Sequence, residues 1–167
     1  MTTVVYVVGD DISTDVIYPG RYMATVLPSE TPQYAFANDA AFNQKLALGG
    51  AGGIAPGSIV VAGRNFGCGS SREQAVSCLV GRQLTIVARS FARIFLQNAI
   101  NLGLRIAICP TIEARVGDVL EFGAGGVKNR KTGERYATMP LPASRQAIMD
   151  AGGLIAYTRA RLSATGA

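Results

Sequence analysis

The middle of the chain alternates between short apolar runs and amphipathic segments, and this alternation constrains the fold more than any other feature. Strand-like and helix-like segments follow one another at residues 58–63, 72–81, 84–89, 90–103 and 104–109. Continuous apolar strands that are joined by amphipathic helices predict a parallel sheet with right-handed crossovers, covered on both faces. The sequence therefore predicts a βαβαβ unit and an α/β fold class.

Shorter patterns flank this unit on both sides. A strand is predicted at residues 3–8, and it leads into a turn-rich loop over 10–33 whose hydrophobic residues indicate an ordered loop. One or two short helices are predicted over 34–48, a small antiparallel meander after Pro110, and a final helix at about 143–151. A chain of 167 residues can bury one substantial core, so we expect a single domain over its whole length.

Composition excludes several kinds of chemistry. The chain contains no histidine, which removes the commonest general base and the commonest metal ligand. Its three cysteines, Cys68, Cys78 and Cys109, form no CxxC pair and so predict free thiols and no metal site. The net charge is +5, but arginine and lysine are scattered singly. This pattern favours a small anionic ligand over nucleic acid.

Two further features bear on where the protein works. No apolar stretch reaches the roughly 18 residues that a bilayer span requires. The first residues, MTTVVYVVGD, lack the basic start and the small-residue cleavage site of a signal peptide. We therefore expect no membrane segment and a cytoplasmic location.

A glycine-rich turn, GRNFGCGSSREQA at 63–75, joins the first strand of the unit to its first helix. The simple interpretation is helix capping, in which Ser70 or Ser71 caps the helix and Glu73 closes a capping box with Ser70. Two adjacent hydroxyls are more than one cap requires, and Arg72 would oppose the helix dipole in the first turn. An anion that binds both the guanidinium and the N–H groups would explain this arrangement, so the turn predicts an anion site.

Three separated motifs carry a family resemblance: DDISTDVIYPGRYM, GRNFGCGSSREQA and VARSFARIFLQNAINLGL, in this order. The chain resembles the swivelling domain of the aconitase superfamily, and within it the free-standing small subunits of 3-isopropylmalate dehydratases. The resemblance implies a swivelling β/β/α domain whose mostly parallel sheet is flanked by helices. It also implies that this chain binds no cofactor itself. A large subunit with a 4Fe-4S cluster would pair with it in a hetero-oligomer, and the active site would lie between the two.

The resemblance also implies roles for individual residues. Ser70 matches the catalytic base, Ser71 and Arg72 match contacts to a dicarboxylate substrate, and Thr14 and Asp15 match an upstream pair of the same site. The implied reaction interconverts 2-isopropylmalate and 3-isopropylmalate in leucine biosynthesis, by dehydration and rehydration. Ser70, as an alkoxide, would take the proton α to a carboxylate while the iron of the partner draws off the hydroxyl. Arg72, backbone N–H groups and the helix dipole would stabilise that alkoxide.

The segment Met23–Ala24–Thr25 aligns with the part of the family that determines substrate specificity. Homoaconitase-type enzymes carry an arginine where this chain has Ala24, so the resemblance favours an apolar branch over a third carboxylate. Arg21 is either a second carboxylate contact or a surface residue. Tyr18 either projects into the site or pins the loop by packing.

Several alternatives stay open at this point. Gln74 stands where many members of the family have histidine, so the assignment to a subfamily stays open. Citramalate, dimethylmalate and homocitrate are alternative substrates, since one methylene changes selectivity by only about 1 to 3 kcal/mol. A protein of another class, an anion-binding module without a partner, is the remaining alternative.

Overall fold

A seven-stranded mixed sheet organises the chain in a computed structural model, which describes residues 2–48 and 53–165. The strands and α-helices of the described residues follow in the order β1 Thr2–Val7, α1 Thr14–Ile17, α2 Ala40–Leu48, β2 Ile59–Ala62, α3 Gln74–Gly81, β3 Thr85–Ala88, α4 Arg93–Leu102, β4 Arg105–Ile108, β5 Val119–Gly123, β6 Gly126–Asn129, β7 Arg135–Ala137, α5 Ala143–Asp150 and α6 Leu154–Thr165. The strand order is β4-β3-β2-β1-β5-β6-β7.

The parallel half of the sheet consists of β1 to β4, as the alternating pattern predicted. Successive strands step across the sheet in one direction, so right-handed crossovers place α3 and α4 on the same face. Alternate side chains of β2 and β3 meet these helices in one core. The residues that these two strands and two helices contribute to this core are Val60, Ala62, Ala75, Val76, Cys78, Leu79, Ile86, Ala88, Phe95 and Ala99.

The opposite face is covered by the antiparallel strands β5 to β7 rather than by helices. Ile59, Val61 and Val87 pack there against Leu120 and Val127. After β7 the backbone N–H of Met139 donates to the carbonyl of Ile108 on β4, at 2.8 Å, so the sheet curls back towards its first edge. The predicted α/β class and the predicted meander are confirmed, and the curl explains how strands that are apolar on both faces are buried without a second helical layer.

The structure differs from the sequence prediction in two regions. The loop at 10–33 contains α1 and the 3-10 segment Gly20–Tyr22, and a second 3-10 segment, Thr31–Tyr34, lies at its end. The loop is therefore ordered, as expected, but it includes short helical segments that the sequence did not predict. The predicted last helix is present as α5, but α6 follows it, so the expectation that α5 ends the fold was wrong. Within 2–48 and 53–165, no helix combines the length and the apolar character that a bilayer crossing requires.

Backbone pairing continues past the ends of β1 and β2 and positions the functional loops. The N–H of Gly63 donates to the carbonyl of Gly9, that of Asp11 to Arg64, and that of Gly67 to Ile12, at 2.7 to 3.1 Å. The N–H of Thr14 then donates to the carbonyl of Cys68 at 2.8 Å. The loop after β1 and the loop after β2 therefore run side by side, which brings the two predicted site motifs together. They are 56 residues apart in sequence at the Thr14–Ser70 contact.

Gly67 provides a test of this arrangement. Its φ is +81°, and a Cβ at this position would lie 2.1 Å from the ring of Phe95. Because backbone strain and overpacking add, we expect Gly67→Ala to lower the free energy of unfolding by about 3 kcal/mol. Gly9→Ala is the matched control, since a Cβ there meets nothing within 4 Å. Urea denaturation measures both, and equal stabilities of the two variants would contradict the packing described.

Candidate active site

Thr14 and Ser70 form the centre of the site. Thr14 opens α1, whose N-terminus is capped by Ser13, and its side chain is 1% exposed. The Thr14 Oγ1 accepts a hydrogen bond from the Ser70 N–H at 3.2 Å and lies 3.0 Å from the Ser70 Oγ. Because Thr14 Oγ1 already accepts the amide, its own hydroxyl hydrogen is available to the Ser70 Oγ. A buried threonine thus positions an exposed serine and can donate to it.

Arg72 lies next to this pair with part of its hydrogen-bonding capacity unused. Its Nη1 forms an ion pair with the carboxylate of Asp15 and donates to the carbonyl of Tyr18 at 3.4 Å. Its Nε is buried and has no hydrogen-bond partner among the described residues. Gly20 faces the guanidinium, where a Cβ would come within 3.6 Å of Nη2. The guanidinium is therefore held at one nitrogen and keeps N–H groups for a carboxylate ligand.

The helix capping that was the simple interpretation of the turn does not occur. α3 begins at Gln74 with Glu73 as its N-cap residue, and no side chain caps it. Neither Ser70 nor Ser71 is a cap, the capping box is absent, and Arg72 precedes the first helical turn instead of lying in it. The reason is tertiary: Thr14 holds Ser70. Arg72 lies before the helix, so its charge does not oppose the helix dipole. The ion pair with Asp15 stabilises the charge of the guanidinium at this position.

Other side chains of the same motifs, none of them predicted as site residues, secure the turn. Asp10 accepts a hydrogen bond from the Arg64 N–H at 2.7 Å, and Asp11 accepts one from the Asn65 side chain at 2.8 Å. Asn98 on α4 donates to the carbonyl of Ser71 at 3.3 Å. The sequence analysis missed Asn65 and Asn98. An isolated asparagine in a loop or on a helix carries no local signal for a contact that depends on distant chain segments.

The remaining predicted residues lie on the loop beside Arg72. Tyr18 is fully buried, and its hydroxyl donates to two carbonyls of the same loop. Met23 and Ala24 are exposed on the next turn. The guanidinium of Arg21 lies over the ring of Tyr22, 4.6 Å from its centroid, and so is engaged within the loop. No hydrogen bond within the described chain joins the segment 23–25 to the serines, so its part in the site stays a prediction.

The cysteines do not fit an iron–sulfur cluster. Cys78 is a residue of α3 and lies in the core between the helices and the sheet, Cys109 lies in the core on the opposite face of the sheet, and Cys68 stands alone at the serine turn. Burial raises the pKa of both Cys78 and Cys109 above the ordinary thiol value, which disfavours the thiolate that a metal requires. In the part of the chain that the structure describes, no three acidic, cysteine or histidine side chains are grouped to hold a metal.

Comparisons relate this chain to known proteins. The family described as the aconitase C-terminal domain matches residues 55–108, which include the serine turn. The small subunit of 3-isopropylmalate dehydratase from Methanosarcina mazei is 43% identical over 162 residues, covering 93% of this chain and 94% of that protein. The isopropylmalate/citramalate isomerase small subunit from Methanocaldococcus jannaschii is 40% identical over 161 residues, covering 93% of this chain and 91% of that protein.

A solved structure extends the similarity to three dimensions. The crystal structure of 3-isopropylmalate dehydratase from Methanocaldococcus jannaschii superposes with a TM-score of 0.87 at 34% identity, covering 98% of this chain and 96% of that one. The relatives named as small subunits imply a large-subunit partner. The similarity extends over the whole fold and is not confined to the glycine-rich turn. The chain therefore belongs to the family of 3-isopropylmalate dehydratase small subunits, hydro-lyase subunits of the aconitase type.

Proposed function

We propose that this chain is the small subunit of a hydro-lyase that interconverts 2-isopropylmalate and 3-isopropylmalate in leucine biosynthesis, and that Ser70 is its catalytic base. The observation that carries the proposal is the 3.0 Å contact between the Ser70 Oγ and the buried Thr14 Oγ1. It gives one exposed hydroxyl a defined position and a hydrogen-bond donor. The near full-length similarity to dehydratase and isomerase small subunits supports the same function.

The openness of the site supports a shared active site. Ser70 and Ser71 are exposed, whereas enzymes usually bury most of a small substrate in a cleft. The loop beside them exposes several large apolar side chains, among which Val26 is 64% and Leu27 55% exposed. A large subunit that docks over this loop would cover these side chains and enclose the substrate. The relatives are named small subunits, which supports such a partner. We place the complete active site at the interface of the resulting hetero-oligomer.

The side chains of this chain would perform the proton transfer. One carboxylate of the substrate would bind the free N–H groups of Arg72, with Ser71 as a further contact. The Ser70 Oγ would then accept the proton α to that carboxylate and return it when water adds back. Serine is a weak base in water, so its alkoxide requires preorganised donors. The Thr14 hydroxyl is one such donor, and Arg72 supplies positive charge nearby.

The iron–sulfur cluster belongs, in this proposal, to the large subunit. The buried Cys78 and Cys109 lie in separate cores and offer no set of ligands. All three cysteines lie in the described part of the chain as free thiols, which supports a reducing compartment and hence the cytoplasm. When bound to the large subunit, the cluster would supply a Lewis acid for the departing hydroxyl group.

The substrate follows from the exposed turn at Met23 and Ala24. Ala24 offers no charge to a third carboxylate, whereas methyl and thioether groups tolerate an apolar branch. Isopropylmalate is therefore the first candidate. Citramalate is the second, because a relative 40% identical to this chain is named for both substrates.

Removing the base tests the role of Ser70. We expect Ser70→Ala to lower kcat at least 1,000-fold in the complex with the iron–sulfur large subunit, on the order seen when a catalytic group is lost. Assembly, measured by size-exclusion chromatography, should be unchanged because Ser70 is exposed. Ser144→Ala, at an exposed serine of α5, is the matched control. A Ser70→Ala variant with near-normal kcat would refute the assignment, and so would full activity of this chain without a partner.

Removing the donor tests the role of Thr14. Thr14→Val keeps the buried volume but loses the hydroxyl, and a hydrogen bond to a charged group contributes about 1.5–3 kcal/mol. We therefore expect kcat to fall roughly 10- to 100-fold. Thr14→Ser keeps the hydroxyl and should retain most of the activity. Steady-state kinetics of the complex distinguishes the two, and equal kcat values for the valine and serine variants would show that the hydroxyl does not assist Ser70.

A substrate panel tests the proposed selectivity. We expect kcat/KM to be highest for isopropylmalate, about 10- to 100-fold lower for citramalate, and lowest for homocitrate. Ala24→Arg should raise kcat/KM for homocitrate relative to that for isopropylmalate, because arginine can pair with the third carboxylate. Turnover of homocitrate by the wild-type complex at the rate of isopropylmalate would overturn the choice of substrate.

A further inference from the structure

A β-turn presents the segment that the proposed function assigns to substrate selection. The N–H of Thr25 donates to the carbonyl of Tyr22 at 2.9 Å, which closes a four-residue turn with Met23 and Ala24 in its central positions. Met23 has φ −61° and ψ −21°, the values of the first central residue of a type I turn. The side chains at the centre of this turn are exposed.

A single buried hydroxyl holds both ends of this turn. The single hydrogen on the Tyr18 Oη is shared between the carbonyl of Tyr22, at 3.1 Å from the oxygen, and the carbonyl of Thr25, at 3.2 Å. Tyr18 is 0% exposed, so water does not compete for these bonds. Burial also raises the pKa of the Tyr18 phenol, which therefore stays a donor at neutral pH.

The same residue is in contact with the anion-binding guanidinium. The carbonyl of Tyr18 accepts the 3.4 Å hydrogen bond from Arg72 Nη1, and its N–H donates to the carbonyl of Thr14 at 2.8 Å. Its ring packs edge-on against Tyr22 and Tyr34, with centroids 6.5 Å and 6.1 Å away. Tyr18 thus joins Arg72, through its backbone, to the turn, through its phenol.

We propose that Tyr18 is a positioning residue for substrate selection, whose phenol sets the distance between the turn at Met23–Ala24 and the guanidinium of Arg72. A substrate held by one carboxylate at Arg72 would place its branch at a fixed distance from that group. The turn can discriminate between branches only if it is held at that distance. This inference rests on the proposed function, because it takes Met23 and Ala24 as the contacts to the branch.

The first experiment measures the anchor without any substrate. Tyr18→Phe removes one oxygen atom and leaves the buried ring in place. Tyr34→Phe is the matched control: this ring belongs to the same cluster, stacked on Tyr22 at 4.1 Å, but its hydroxyl makes no hydrogen bond among the described residues. We expect amide hydrogen exchange at Thr25 to rise about tenfold in Tyr18→Phe, in line with the loss of a neutral hydrogen bond, and to stay unchanged in Tyr34→Phe. Exchange that is equal in both variants would overturn the proposal.

The second experiment measures selection in the complex with the large subunit. We expect Tyr18→Phe to raise KM for isopropylmalate about fivefold, to change kcat by less than about twofold, and to bring the kcat/KM ratio of isopropylmalate to citramalate closer to one. Tyr34→Phe should keep the wild-type ratio. An active wild-type complex whose ratio is unaffected by Tyr18→Phe would overturn this inference alone. A wild-type complex that turns over neither substrate would overturn the proposed function, and this inference with it.

Discussion

The site depends on parallel backbone pairing that continues beyond the ends of β1 and β2. Four N–H to carbonyl hydrogen bonds, from Gly63 to Gly9, Asp11 to Arg64, Gly67 to Ile12 and Thr14 to Cys68, join two loops that would otherwise be independent. In a parallel sheet the carboxyl ends of neighbouring strands lie at one edge, where loops with functional residues usually meet. Here the loops are themselves paired. Thr14 and Ser70 therefore meet at a fixed distance and not through flexible approach.

This pairing yields a site that is well ordered but open on one side. Thr14 is buried and Ser70, which it contacts, is exposed, so the rigid part faces the protein and the hydroxyl proposed as the base faces outward. Arg72 is divided differently: its Nη1 is bound by the exposed Asp15, and its buried Nε has no partner among the described residues. An unsatisfied buried donor of this kind is unfavourable in the free chain, and the proposed substrate carboxylate would offset that cost if it bound there. The arrangement suits a subunit that supplies half of an active site.

The sequence predicted the parts of the fold that depend on local patterns. The parallel unit, the meander and the helix at 143–151 are all present, because period, length and turn residues carry their information within a few positions. It predicted poorly where long-range contacts compete with local ones. Serine is a common helix N-cap, but Ser70 forms its hydrogen bonds with Thr14, and α3 begins four residues later. Likewise α6 was missed, since a pair of glycines signals the end of one helix but not whether another begins.

The sequence by itself determined the chemistry that this chain can offer: two adjacent hydroxyls followed by a guanidinium in a glycine-rich turn, no histidine, and motifs that identify a family. Only the tertiary structure decided how these groups are used. It showed that the Thr14 and Ser70 hydroxyls lie within hydrogen-bond distance, that Asp15 holds Arg72, and that the phenol of Tyr18 pins the loop rather than projecting into the site. The physical reason is that residue types define which hydrogen bonds can form, whereas the distance and burial that decide among them arise only when segments far apart in sequence pack together.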